Sequence, residues 1–203
     1  MRVLTEIKRD AIVQAAAEIF NEQGFEGASM AAIAARVGGS KSTLYRYFSS
    51  KEELFVTVSQ QTAKNQILPS LEALLASRSK DLNGVLQEFG ETALRVISTE
   101  ASIKAMRTVI SESGRSDIGK LFFEAGPKIG MQFLAVFFRT QMVAGNMREA
   151  DPEVAARHLL ALLESETVAP CLMGIKVELS SIELKGAVQR ALDTFLRGYG
   201  VAG

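Results

Sequence analysis

The sequence predicts an all-α protein in which a set of short helices precedes a bundle of longer ones. Three observations carry that reading. Apolar residues recur at three- and four-residue spacing along nearly the whole chain, no segment alternates apolar and polar residues over a strand's length, and glycine, proline and serine fall where the periodic runs start or stop. With 203 residues, 47% of them apolar and 23% charged, the chain can hold one or two compact domains with a real core.

A first helix is predicted over residues 6–23, with Ile12, Ala15, Ala16, Ile19 and Phe20 as its buried stripe and Gly24 ending it. Ser29 is placed to cap a short second helix over 30–37, which Gly38-Gly39 breaks. Ser40 caps a third over 41–47, where Leu44 and Phe48 share a face. Ser50 and Glu53 have the spacing of a capping box, so a long fourth helix starts there and reaches at least Ile67, with Pro69 as its kink or end. Further helices are predicted over 81–98, 100–112 and 117–143, the last interrupted at Gly126-Pro127. Asp151-Pro152-Glu153 supplies a cap, a proline at the first helical position and an acid in the first turn. The last helix is expected over 181–197, stopping at Gly198.

Lys plus Arg and Asp plus Glu are 23 each, so the whole-chain charge gives no hint of a polyanionic partner. The local balance differs. No acid lies between Glu26 and Glu52, whereas Arg36, Lys41, Arg46 and Lys51 all do, and the field near a partner is what counts. A short helix, a glycine turn and a second short helix with a polar outer face are the parts of a helix-turn-helix, whose second helix meets the major groove of DNA. Ser40 at a positive helix end, with Lys41, Ser42 and Thr43 as donors beside it, suits phosphate. Tyr45 and Tyr47 can donate to phosphate or stack on sugars and thymine methyls, although Tyr47 has a second reading in the core beside Phe48. Arg46 has the fork for bidentate guanine recognition, worth about 1–3 kcal/mol of discrimination. Lys51, opening the fourth helix, is expected on a backbone phosphate.

The run GFEGASMAAIAARVGGSKSTLYRYFSSKEELF, residues 24–55, resembles the DNA-binding segment of the TetR/AcrR family of transcriptional regulators. The resemblance implies that Ser29, Ser40, Thr43, Tyr45, Tyr47 and Lys51 contact DNA. Two positions depart from the family pattern: Gly39 stands where valine commonly packs the turn, and Ser42 where glycine is common. A looser turn and one more phosphate donor are expected. The segment VISESGRSDIGKLFFEAGPKIG and the closing RGYG are similar to the AefR-like group of these regulators. This implies an operator-binding homodimer whose last two long helices form a four-helix bundle with those of the partner, and a small-molecule pocket in each subunit. Residues 1–55 are then the helix-turn-helix DNA-binding domain, of three helices, and residues 56–203 the effector-binding and dimerisation domain.

Phe122, Phe123, Met131, Phe133, Phe137 and Phe138 cover more than one face of the predicted 117–143 helix. Two readings stay open: all core, or a core plus a cavity in which Phe122 and Met131, with Phe89 and Met106, hold an apolar effector. His158 is the one histidine and Cys171 the one cysteine, so neither a disulfide within the chain, a metal site nor a Cys-His dyad is expected. Glu164 and Glu166 read as surface or interface charges. No nucleophile, base and orienting group can be assembled, so no catalytic activity and no cofactor are expected. The first ten residues carry acids and no apolar run of signal-peptide length, and the strongly apolar run 133–138 is too short to span a bilayer. The expectation is a soluble cytoplasmic repressor released from operator DNA by a small molecule. The alternative keeps the DNA binding and gives the C-terminal half a protein partner instead of a small-molecule sensor.

Overall fold

A computed structural model describes residues 2–77, 81–176 and 178–201. Among them the chain is helical, in the order α1 (Arg2–Gly27), α2 (Met30–Val37), α3 (Lys41–Tyr45), α4 (Lys51–Ala76), α5 (Leu82–Ile97), α6 (Glu100–Glu112), α7 (Ile118–Ala125), α8 (Pro127–Val143), α9 (Pro152–Ser165), α10 (Val168–Leu172) and α11 (Ser181–Tyr199). The extended pairing among the described residues is a single antiparallel bridge, Met147 to Gly200. The chain forms two compact units: Met1–Gln61 with Thr108–Ala125, and Thr62–Arg107 with Gly126–Gly203. The first unit thus takes in the end of α6 and all of α7 besides the expected N-terminal segment.

In the first unit the predicted α1 stripe is the core: Ile12 and Ala16 are fully shielded, and Ile19 and Phe20 nearly so. Phe55 of α4 meets Phe20 and Phe25 edge-on, with ring centroids 5.1 and 5.0 Å apart. The helix breaks at Gly24, whose φ of 71° lies in the left-handed region that a side chain would disfavour. α3 ends two residues earlier than the pattern suggests. Arg46 and Tyr47 donate to the carbonyls of Thr43 and Leu44, three residues back, which tightens the last turn. α4 runs through Pro69 to Ala76; the proline is exposed, and burial of Leu71 and Leu74 beyond it outweighs the missing donor.

The second unit has one core, drawn from the end of α4, from α5, α6 and from α8 to α11. α5 lies so close to α11 that a Cβ on Gly90 would come within 2.9 Å of the Val188 side chain. Arg107 of α6 holds the end of α10 by donating to the carbonyls of Cys171, at 2.6 Å, and Leu172, at 3.0 Å. The five-residue α10 has no periodicity long enough to read from sequence. α11 runs past Gly198 because Phe195 and Tyr199 are buried and stacked, with ring centroids 4.8 Å apart. The break at Gly126 is real, so the phenylalanine-rich stretch is two helices. Taken together, Ile118–Val143 reaches a mean hydropathy of 1.2, long and apolar enough by composition to cross a membrane. In the fold, however, Leu134, Phe137 and Phe138 of α8 are buried in the core of the second unit.

Candidate nucleic-acid interface

The geometry around α2 and α3 follows from caps at every break. Ser29 is extended, and its side chain accepts from the Ala32 amide at 3.1 Å, which fixes the start of α2. At the other end Gly38 adopts φ 72°, its amide donates to Ala35, and the Gly39 amide donates to Ala34 at 2.9 Å. This is a Schellman turn, in which the residue after the left-handed glycine usually adds an apolar contact. Gly39 has none to add. A Cβ there would meet nothing within 4 Å, and the residue borders a seam of about 10 Å³, one water's worth at most. The hydrogen bonds of the turn are intact, so what the residue without a side chain leaves is a small gap beside it.

Ser40 then starts α3. Its Oγ accepts from the Thr43 amide at 3.1 Å and lies 2.9 Å from the hydroxyls of both Ser42 and Thr43. Leu44 is the buried residue of this five-residue helix, and Phe48 just beyond it is 1% exposed. Fixing that one face turns the other outward. Lys41, Ser42, Tyr45 and Arg46 are exposed, Thr43 and Tyr47 half-buried. Tyr45, 45% exposed, has the Lys41 ammonium 5.8 Å from its ring centroid. The half-burial of Tyr47 matches its expected double character.

The four cations of the acid-free window are not equivalent. Arg36 donates to Glu22 at 2.8 and 3.1 Å and to Glu18 at 3.1 Å. Donating to Glu22 and Glu18 raises the Arg36 pKa, and accepting from Arg36 lowers that of Glu22. Arg36 therefore adds little net charge to the face. Glu18 and Glu22, four apart on α1, were the signal that could have shown this. Lys51 is half-buried, donating to the carbonyls of Phe25 at 2.8 Å and Ala28 at 3.2 Å, with its ammonium 4.2 Å from the Phe25 ring centroid. It ties the start of α4 to the turn between α1 and α2, leaving one of three donors for anything else. Lys41 and Arg46 make no ion pair among the described residues. From α1, Arg9 lies over the Phe48 ring at 5.0 Å, and Lys8 lines the seam with Gly39, Ser40 and Thr43.

The residues expected around an effector are dispersed. Phe89 is 4% exposed in the core of the second unit, Met106 packs against that core half-buried, and Met131 of α8 is half-buried. Phe122 is half-buried in α7, which belongs to the first unit. A wider hollow, about 390 Å³, opens between α9 and α11 instead, with His158, Ala161, Leu162, Phe195 and Tyr199 in its wall. His158 is exposed, with its Nδ1 2.7 Å from the Tyr199 hydroxyl. Glu166 pairs with Arg190 at 2.5 Å, a surface charge as expected, whereas burial raises the pKa of Glu164. No group of three metal-binding side chains occurs among the described residues.

A short capped helix, a left-handed glycine turn and a second helix anchored by one leucine with a polar, cationic outer face define a helix-turn-helix DNA-binding protein, here attached to an all-helical second unit. Residues 12–58 match the tetR family of bacterial regulatory proteins, and residues 84–201 the AefR-like transcriptional repressor C-terminal domain. The chain belongs to the TetR family of transcriptional regulators. A TetR-family regulator from Mesorhizobium loti has the same fold, with a TM-score of 0.82 and 29% identity over 97% of this chain and 98% of that one. The flavonoid-responsive regulator FrrA gives 0.74 and 30% identity, over 98% of this chain and 100% of FrrA. The transcriptional activator FasR of Mycolicibacterium smegmatis is 38% identical over 73 residues, which are 36% of this chain and 33% of FasR. This chain therefore matches about a third of that activator's length.

Proposed function

We propose that this regulator reads a near-palindromic operator as a homodimer and is a repressor released by a small, largely apolar effector. α3 enters the major groove. Ser40, Ser42 and Thr43 donate to phosphate at its start, Lys41, Tyr45 and Arg46 reach the groove or its edge, and Ser29, Tyr47 and the remaining donor of Lys51 fix the flanks. The two heads then address half-sites about 34 Å apart, or a multiple of that. The observation that carries this reading is the one-sided anchoring of α3: Leu44 is 2% exposed while Tyr45, the next residue, is 45% exposed.

The dimer forms through the outer faces of α9 and α11, where the open apolar hollow and the small residues Ala161, Gly186 and Gly198 allow close approach. The AefR-like repressor domain supports the repressor sense, and the flavonoid responsiveness of FrrA, similar over its whole length, supports an effector. The protein works in the cytoplasm, where its operator is. An effector needs only about 1–3 kcal/mol of differential affinity for the two head spacings. One observation favours a protein partner instead of an effector: Ile129, Val136 and Val143, seven apart on α8, are 38%, 55% and 86% exposed.

The test is selection of duplexes from a random library by the purified chain, followed by Tyr45→Ala on the selected site. Loss of affinity with unchanged melting and dimer mass is the expected result. A library that yields no enriched, salt-sensitive site would overturn the reading. Compounds that weaken the selected complex would separate the effector from the partner alternative.

A further inference from the structure

Once the internal pairs are subtracted, the window that looked strongly basic retains two unpaired cations, Lys41 and Arg46, with one donor of Lys51. A helix outside the helix-turn-helix supplies another. Lys8 lies in α1, is exposed, and makes no ion pair or hydrogen bond among the described residues. On a helix its own-face neighbours stand three and four residues away: Leu4, Thr5, Ala11 and Ile12, none of them acidic. Glu6 and Asp10 stand two residues away, on the opposite side. The paired acids Glu18 and Glu22 lie at least ten residues further along, roughly 15 Å at the α-helical rise. Lys8 and Ile12 line one side of the seam whose other side is Gly39, Ser40 and Thr43. Lys8 of α1 thus shares a seam with the residues whose hydroxyls start α3. Arg9, its neighbour, is committed to the Phe48 ring instead.

We propose that Lys8 binds a backbone phosphate of the duplex that α3 reads, next to the phosphate held by Ser40 and Thr43, so that α1 is part of the DNA footprint. The inference rests on the DNA-reading role given to α3. Gly39 belongs to the same arrangement: with no side chain at that position, the α1 side of the turn stays open to Lys8. The contact is made to phosphate, so it strengthens binding to every sequence alike and carries no base preference.

The experiment is a salt titration of binding to the selected duplex and to mixed-sequence duplex DNA, with the full chain and the variants Lys8→Gln, Lys8→Arg and Lys41→Gln. Each lost phosphate contact lowers the slope of log K against log salt by about 0.9, hence about two for a dimer. Lys8→Gln is expected to lower it by that amount on both DNAs, with Lys8→Arg restoring it and melting temperature unchanged. An unchanged slope for Lys8→Gln alongside a lowered one for Lys41→Gln would remove Lys8 from the footprint and leave the role of α3 standing. If the unaltered chain forms no salt-sensitive complex, both fall together.

Discussion

Leu44 of α3 and Phe138 of α8 are both shielded from solvent, yet they hold their helices in different ways. Leu44 is the buried residue of a five-residue helix, and the remaining side chains there face water or the seam. Phe138 is one of five buried residues in a seventeen-residue helix, with Phe137 and Phe195 rings 5.8 and 5.2 Å away. α3 is thinly anchored, and hydrogen-bonded caps do much of its positioning. α8 is redundantly anchored, and the packing of a whole core holds it in place. An interface made of outward side chains on a capped turn is a local object. A binding cavity is a global one.

Two substitutions test that contrast most strongly. Phe138→Ala should cost about 3–5 kcal/mol in chemical denaturation and Leu44→Ala about 2–5 kcal/mol. Under conditions where both variants remain folded, Leu44→Ala should lose DNA binding while Phe138→Ala keeps the affinity of each head for mixed-sequence DNA. Equal loss of DNA affinity in the two would break the comparison, because α3 would then depend on distant packing as much as on its own anchor.

A smaller effect separates two lysines of the same surface window. Lys51→Met leaves the Phe25 and Ala28 carbonyls without their ammonium donor, and should destabilise by about 1–2 kcal/mol. Lys41→Met should change stability by less than about 0.5 kcal/mol and weaken DNA binding instead. Denaturant midpoints set against salt titrations for the pair distinguish a strut from a contact. If both variants leave stability untouched, the inward hydrogen bonds of Lys51 are energetically idle.

The same division governs what could be read from the chain. Ser29, Ser40, Gly38 and Asp151 announced their helix ends because caps act over three residues, and each makes the expected bonds. The α1 stripe was legible for the same reason, since helical periodicity is a local rule. The capping box at α4 was right in kind and shifted in detail: Ser50 accepts from the Glu53 amide, but the Glu53 carboxylate reaches Ser49. What escaped depends on residues far apart in sequence. Arg36 meets acids fourteen and eighteen residues away, and Lys51 meets carbonyls twenty-three and twenty-six residues away. No local window contains those partners. The membership of α7 in the first unit and the position of the apolar hollow are likewise products of tertiary packing.

Gly38 and Gly39 sharpen the picture of the turn with effects of opposite sign. Alanine at Gly38 must adopt the left-handed conformation and should cost about 1–2 kcal/mol. Alanine at Gly39 meets no atom within 4 Å and has no positive φ, so it should stabilise by about 0.4–1 kcal/mol through the unfolded chain. A destabilised Gly39→Ala would mean that the seam needs the bare backbone for packing.

The last comparison sets the cap of α11 against that of α4. Both use a glutamate that reaches back to a serine, but Glu183 is also bonded by Lys176, and Glu53 has no ion pair among the described residues. The Lys176 bond, followed by those from the Ser180 amide and hydroxyl, lowers the Glu183 carboxyl to about 2. A carboxyl depressed on folding stabilises above its unfolded value, near 4.5, and that stabilisation disappears as pH falls toward 2, because the unfolded state takes up the proton first. The stability advantage of the unaltered chain over Glu183→Gln should therefore be constant above pH 5 or so and shrink steadily below it. The Lys176→Gln variant should move the loss to higher pH, since the main source of the depression is gone. A difference between the unaltered chain and Glu183→Gln that stays flat down to pH 2 would show that the carboxylate charge contributes nothing to this cap, and that its serine hydrogen bonds alone hold the start of α11.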